Sequence, residues 1–161
     1  MLLGGDRGIL TDCLVRILRK PATSLADPFP NPTVVPKAFA QDNAADYESE
    51  FVIVIGKTAK NVPEEEAMDY VLGYTAANDV SSRAQQFAQS QWCYSKGFDG
   101  ACPLGPAFVP KEAMPRIGEV AIKGARNGKV CQDSKLEYES IVPAHGTRSH
   151  RLRADIISCL N

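Results

Sequence analysis

The chain has 161 residues, 44% hydrophobic and 23% charged, which suits a single globular core. Its formal net charge of -1 supplies no basic field, excluding nucleic acid and anionic membrane surfaces as expected partners, and no stretch approaches the roughly 20 apolar residues that span a bilayer. The five cysteines are odd in number and scattered, and His145 and His150 lack zinc-ligand spacing. Free thiols in a reducing compartment are therefore expected, rather than a disulfide framework or a structural zinc site.

Residues 1–20 place Ile9, Leu10, Cys13, Leu14, Ile17 and Leu18 at helical spacing among Arg7, Arg16, Arg19 and Lys20. This predicts an amphipathic helix that packs on the body or on a partner. Its basic character faintly resembles a mitochondrial presequence, but Asp6 and Asp12 oppose that reading, so the cytoplasm is preferred. Pro21, Pro28, Pro30, Pro32 and Pro36 then impose extended backbone, predicting a linker or a draped loop. The chain is accordingly divided into residues 1–35, a helix and Pro-rich linker, and residues 36–161, the main domain.

Asp46 to Lys57 reads Asp-Tyr-Glu-Ser-Glu-Phe-Val-Ile-Val-Ile-Gly-Lys. Alternation along an extended strand puts Asp46, Glu48 and Glu50 on one face, a cluster of hard oxygen donors. Phe51 to Ile55 is apolar throughout and rich in β-branched residues, as in a strand covered on both faces. Carboxylates leading into such a strand are costly unless paired or bound to a metal. Taken by itself, the motif is better explained by a solvated strand start with surface acids.

Pro63 followed by Glu64 to Glu66 predicts a helix start, with the acids at the positive end of its dipole. Ala67, Tyr70 and Val71 would form its buried stripe and Gly73 would end it. A strand over Tyr74 to Ala77 would then deliver Asn78 and Asp79, which alone read as a turn or a cap. Gln85 to Tyr94 is expected as a short helix and loop anchored by Phe87 and Trp92. Lys96, beside glycine, would ordinarily be a surface residue. Pro103 to Pro106 reads as a rigid turn, and Asn127-Gly128 as a type I′ hairpin between Glu119–Lys123 and Lys129–Gln132. Val142 to Arg153 is basic and irregular.

Three blocks together carry a further signal: Asp46 to Lys57, Gly73-Tyr-Thr-Ala-Ala-Asn-Asp-Val-Ser-Ser-Arg83, and Ser95-Lys-Gly-Phe-Asp-Gly-Ala-Cys-Pro-Leu-Gly-Pro106. In this order they resemble the fumarylacetoacetate hydrolase family. The resemblance implies an α+β, β-rich fold, a bent mixed β-sheet roll with peripheral helices, here incomplete, and a late helix over Ala154 to Cys159. It implies Glu48, Glu50 and Asp79 as ligands of Mg2+, with Mn2+ or Ca2+ as alternatives. Lys96 would be the catalytic lysine near substrate, Arg83 and Gln86 would bind substrate, and Asp46 would be structural. For Arg83, a structural ion pair is an equal alternative.

The implied chemistry is hydrolysis or decarboxylation at C–C bonds of acylpyruvates, oxaloacetate or related β-dicarbonyl acids. The partner would be a small 2-oxo or 1,3-dicarbonyl acid, and a homodimer is expected from the family. Two departures qualify this: no histidine precedes Asp46, where family hydrolases carry a His/Glu pair, and the closing Gly-Thr-Pro-x-Gly-Val-Gly block is not found. A truncated, catalytically inactive binding or assembly protein, and a step in secondary-metabolite biosynthesis, are the alternative readings.

Overall fold

The computed structural model describes residues 18–40, 43–136 and 154–158. Its strands in chain order are β1 (Leu25–Ala26), β2 (Ala45–Asp46), β3 (Ser49–Ile55), β4 (Val71–Asn78) and β5 (Ser81–Ser82). Two short helices follow, α1 (Arg83–Ala88) and α2 (Trp92–Lys96), then β6 (Cys102–Pro103), β7 (Val109–Pro110), β8 (Ala121–Arg126), β9 (Lys129–Lys135) and β10 (Ala154–Ser158). The architecture is α+β and strand-rich, and the described residues form four small open sheets.

The main sheet has the order β10-β3-β4-β7, with β10 parallel to β3 and the other pairs antiparallel, so it is mixed as expected. β3 lies inside it, and the apolar run is covered on both faces. Phe51 and Ile53 pack with Val71, Tyr74 and Leu136 on one side, the Phe51 and Tyr74 rings stacking with centroids 5.2 Å apart. Val52 packs with Ala77 and Cys102 on the other. Glu50, two positions from Val52, shares this second face.

Several expectations are corrected. The helix expected after Pro63 is a 3-10 helix over Glu64–Tyr70, and Ala67 within it is exposed. Gly73 does not end it, because the strand already begins at Val71. Val71-Leu-Gly-Tyr is an apolar stretch that gains more as a strand beside β3 than as a last helical turn. Gly73 is required for another reason: a Cβ there would lie 2.4 Å from the Val109 carbonyl oxygen and 2.5 Å from Phe108 Cζ. Phe87 is no anchor, being 85% exposed, whereas its neighbour Gln86 is buried. Ala154–Ser158 is a strand and not a late helix, its β-branched Ile156 and Ile157 aligned in register with Ile53 and Val54.

Of the two readings of the Pro-rich segment, the draped loop is what forms. β1 pairs in parallel with β6, and the Gly100 amide donates to the Thr23 carbonyl at 3.0 Å. The predicted hairpin is present as β8–β9, with Asn127 and Gly128 both at positive φ, 51° and 78°. The helix expected over residues 1–20 falls almost wholly outside the described residues, and the basic segment 142–153 lies outside them too. Among the described cysteines, Cys93 and Cys131 are exposed free thiols. No helix among the described residues is long and apolar enough to cross a membrane.

Candidate metal centre

Glu48, Glu50 and Asp79 converge, each offering a carboxylate oxygen such that the three lie within 4.8 Å of one another. Backbone geometry explains this. Glu50 begins the buried part of β3, while Asn78 ends β4 directly opposite Ser49. The chain then turns, and the Asp79 amide donates to the Glu48 carbonyl at 2.9 Å while the Asn78 side chain accepts from the Glu48 amide at 3.1 Å. The Asn-Asp corner is thus tied to the backbone of the residue it faces. Glu50 and Asp79 are only 3% and 2% exposed.

Lys96 reaches the same point from the end of α2 and is fully buried. Its ammonium donates to Asp79 Oδ2 at 2.5 Å and to Ser81 Oγ at 2.6 Å, and lies 3.0 Å from Glu48 Oε2. The surface position that its glycine neighbour suggested does not hold, since a buried ammonium is tolerable only when paired in this way. Ser81 is oriented in turn by donating to the Asp79 carbonyl at 3.0 Å.

Arg83, at the start of α1, closes the other side. Its Nη1 lies 2.6 Å from Glu48 Oε1 and donates to Gln86 Oε1 at 2.7 Å, and its Nε donates to Asp46 Oδ2 at 2.8 Å. This accounts for the burial of Gln86, which accepts from a guanidinium one helical turn away. Burial alone would raise the Glu48 carboxyl, but the Lys96 and Arg83 hydrogen bonds and charges outweigh it and hold Glu48 below the usual range. Burial would likewise lower Arg83, and Glu48 and Asp46 outweigh it, keeping the guanidinium firmly charged.

Three participants were absent from the sequence expectation. Ser81 is one. Gln132 on β9 is the second: its side-chain amide donates to the Ser49 carbonyl at 2.7 Å and accepts from the Ser49 amide at 3.1 Å, clamping the residue between Glu48 and Glu50. Lys20 is the third, with Nζ 2.6 Å from Asp79 Oδ1. Pro21 was the signal that could have found it, because the residue before proline is disfavoured in a helix.

The donor set fits a hard divalent cation: three carboxylates, no nitrogen or sulfur among them, and two of the three buried. By contrast, a hollow of about 460 Å³ lined by Lys57, Tyr70, Leu72, Phe108 and Lys111 lies at the opposite end of β3 and contains none of these ligands.

The family model described as fumarylacetoacetate (FAA) hydrolase C-terminal matches residues 14–144. A caffeoylpyruvate hydrolase of Neonothopanus nambi is 57% identical over 84 residues, covering 49% of this chain and 28% of that protein. A mitochondrial oxaloacetate tautomerase of Xenopus laevis is 41% identical over 120 residues, covering 73% of this chain and 36% of that one. The chain therefore spans less than half the length of these curated relatives. Among solved structures, 5-carboxymethyl-2-hydroxymuconate delta-isomerase from Mycobacterium smegmatis superposes with a TM-score of 0.62 at 38% identity, covering 72% of this chain and 44% of that one. The protein Cg1458 gives 0.65 at 35% identity, covering 72% and 45% respectively.

Proposed function

Because the chain belongs to the fumarylacetoacetate hydrolase family, we propose that it is a divalent-cation-dependent enzyme acting on acylpyruvates, oxaloacetate or a related β-dicarbonyl acid. The reaction would be hydrolysis or decarboxylation at a C–C bond, with tautomerisation drawing on the same enolate chemistry. The supporting observation is the convergence of Glu48, Glu50 and Asp79 around the buried Lys96 ammonium. The names of the two curated relatives, one a caffeoylpyruvate hydrolase and one an oxaloacetate tautomerase, support this substrate class.

In this reading Glu48, Glu50 and Asp79 hold Mg2+. Bound there, the cation would supply electrostatic stabilisation to the enolate that forms when a bond next to a carbonyl breaks. The protein's own groups do the rest. Lys96 is fixed by Asp79 and Ser81, so its charge meets a substrate carboxylate or a developing oxyanion with little reorganisation. Arg83 fixes the orientation of Glu48 through a short charged hydrogen bond and, with Gln86, would bind substrate beside the cation. Asp46 holds the Arg83 fork from outside.

The test is loss of enol absorbance from acetylpyruvate or oxaloacetate with Mg2+, against a Glu48→Ala, Glu50→Ala double variant. Turnover that needs Mg2+ and vanishes in the double variant is expected. Turnover equal in both proteins would overturn the role given to Glu48 and Glu50, and no turnover in either would leave the fold with a binding or assembly role instead.

A further inference from the structure

Among the described residues, Lys20 is the one charged group at the centre that neither the motif pattern nor the proposed chemistry uses. Its ammonium sits 2.6 Å from Asp79 Oδ1 and donates to the Lys96 carbonyl oxygen. Asp79 thus has a lysine ammonium beside each carboxylate oxygen: Lys96 donates a hydrogen bond to Oδ2, while Lys20 makes an ionic contact with Oδ1, which accepts no hydrogen bond among the described residues. Asp46, Glu48 and Asp79 are ion-paired with Arg83, Lys96 and Lys20, and Glu50 lies beside Glu48 and Asp79, so much of the acidic charge is already balanced before any metal arrives. A divalent cation placed among three of those acids meets two ammonium groups already engaged with one of them. Like charges at such separations repel strongly where water is scarce.

The two lysines are not equally able to yield. Lys96 is fully buried and is held by Asp79, Glu48 and the Ser81 hydroxyl. Lys20 retains 14% side-chain exposure and is held by one carboxylate and one carbonyl. Its backbone, however, is well placed. Pro21 packs against Gly97 so closely that a Cβ on Gly97 would lie 2.9 Å from Pro21 Cδ. The Ser24 amide and hydroxyl both donate to the Pro21 carbonyl, at 3.0 and 2.7 Å, and β1 continues into its pairing with β6. The strap is stitched down, and the lysine side chain at its end is the movable part.

We propose that Lys20 is a built-in competitor for the cation site: its ammonium occupies Asp79 Oδ1 when the cation is absent and swings away when one binds. Lys20 therefore sets cation affinity, holding it weaker than the three carboxylates alone would give. This rests on the reading of Glu48, Glu50 and Asp79 as a cation site. If the seated state holds about nine molecules in ten, removing it tightens apparent binding about tenfold, because affinity scales with the fraction of molecules competent to bind.

The test is isothermal titration calorimetry of the full chain with Mg2+ alone and Mn2+ alone, comparing wild type, Lys20→Met, Lys20→Gln, Lys20→Arg and Lys57→Met. Lys57 lies over the Tyr70 ring at the far end of β3 and controls for simple loss of a positive charge. Tighter binding by about tenfold in both Lys20→Met and Lys20→Gln, with Lys20→Arg and Lys57→Met near wild type, is the expected result. A lysine needed only to hold the strap would give weaker binding when removed, and that outcome overturns the inference. Wild-type binding with unchanged affinity in both neutral variants also overturns it while leaving the cation site standing. Binding by none of the proteins overturns the cation site itself, and the competitor with it.

Discussion

Lys96 and Arg83 carry the residue-scale consequences, because each is a cation held among acids at low exposure. Replacing Lys96 by methionine keeps the volume and leaves Asp79 buried beside a removed charge, a change that costs about 3 to 5 kcal/mol when a buried pair is broken. Urea unfolding of Lys96→Met should show that loss in cation-free buffer. A substantial part of it should return on adding Mg2+, which supplies the missing positive charge, and a loss indifferent to Mg2+ would count against the proposed centre. Arg83→Lys is a milder change of a different kind. One ammonium cannot reproduce the fork that spans Asp46, Glu48 and Gln86, so a loss of about 1 to 3 kcal/mol is expected from the broken charged hydrogen bonds.

Tyr74 gives a pH dependence well away from these groups. Burial pushes its phenol above the ordinary value, so the fold favours the neutral form. That contribution is complete below the unfolded value, near pH 10, and is lost as pH rises through the folded value. Tyr74→Phe keeps the ring stacked on Phe51 and removes the titration. Urea midpoints of wild type and variant should therefore run parallel up to about pH 9 and diverge above it, wild type falling faster.

At the scale of elements, two glycines make opposite demands. Gly128 in the hairpin has positive φ with open space around it, so Gly128→Ala costs only backbone strain, about 1 kcal/mol by urea midpoint. Gly73 has ordinary backbone and no space at all, so Gly73→Ala must separate β7 from β4 and should cost more than Gly128→Ala in the same measurement. The sequence made the first glycine readable, through Asn-Gly between alternating strands, and hid the second. Nothing local tells a helix-ending glycine from one pressed by a distant strand. The same division runs through the site. Glu48, Glu50 and Asp79 were readable because strand alternation and the Asn-Asp corner are short-range, whereas Lys20 was masked by helical spacing in the residues before it. Phe87 misled because hydrophobicity suggested an anchor, when the buried position went to Gln86, whose oxygen the Arg83 fork requires.

For the whole molecule, β3 has a strand on either side and apolar cover on both faces, while the β8–β9 hairpin forms a separate sheet attached near its start. Native-state hydrogen exchange should find the amides of Val52 to Val54 the slowest and those of the hairpin faster, since protection follows the density of buried contacts. The mixed, strand-rich class was expected from the motif resemblance, and alternating strand and helix signals agreed with it without selecting it. The parallel placement of β10 beside β3 was not readable, because register between segments a hundred residues apart is set by which edge is left open and not by local preference.

The Gln132 side chain makes one of these attachments measurable. A neighbouring strand would normally satisfy the two backbone groups of Ser49, and here a single carboxamide does so from the hairpin. The amide proton of Ser49 is therefore a gauge wired to β9: it should exchange when the hairpin lifts, even while β3 and β4 stay zipped. A solvent-exchange rate at that one nitrogen, compared between wild type and Gln132→Leu, would report how firmly the outer hairpin grips the ground between two acids.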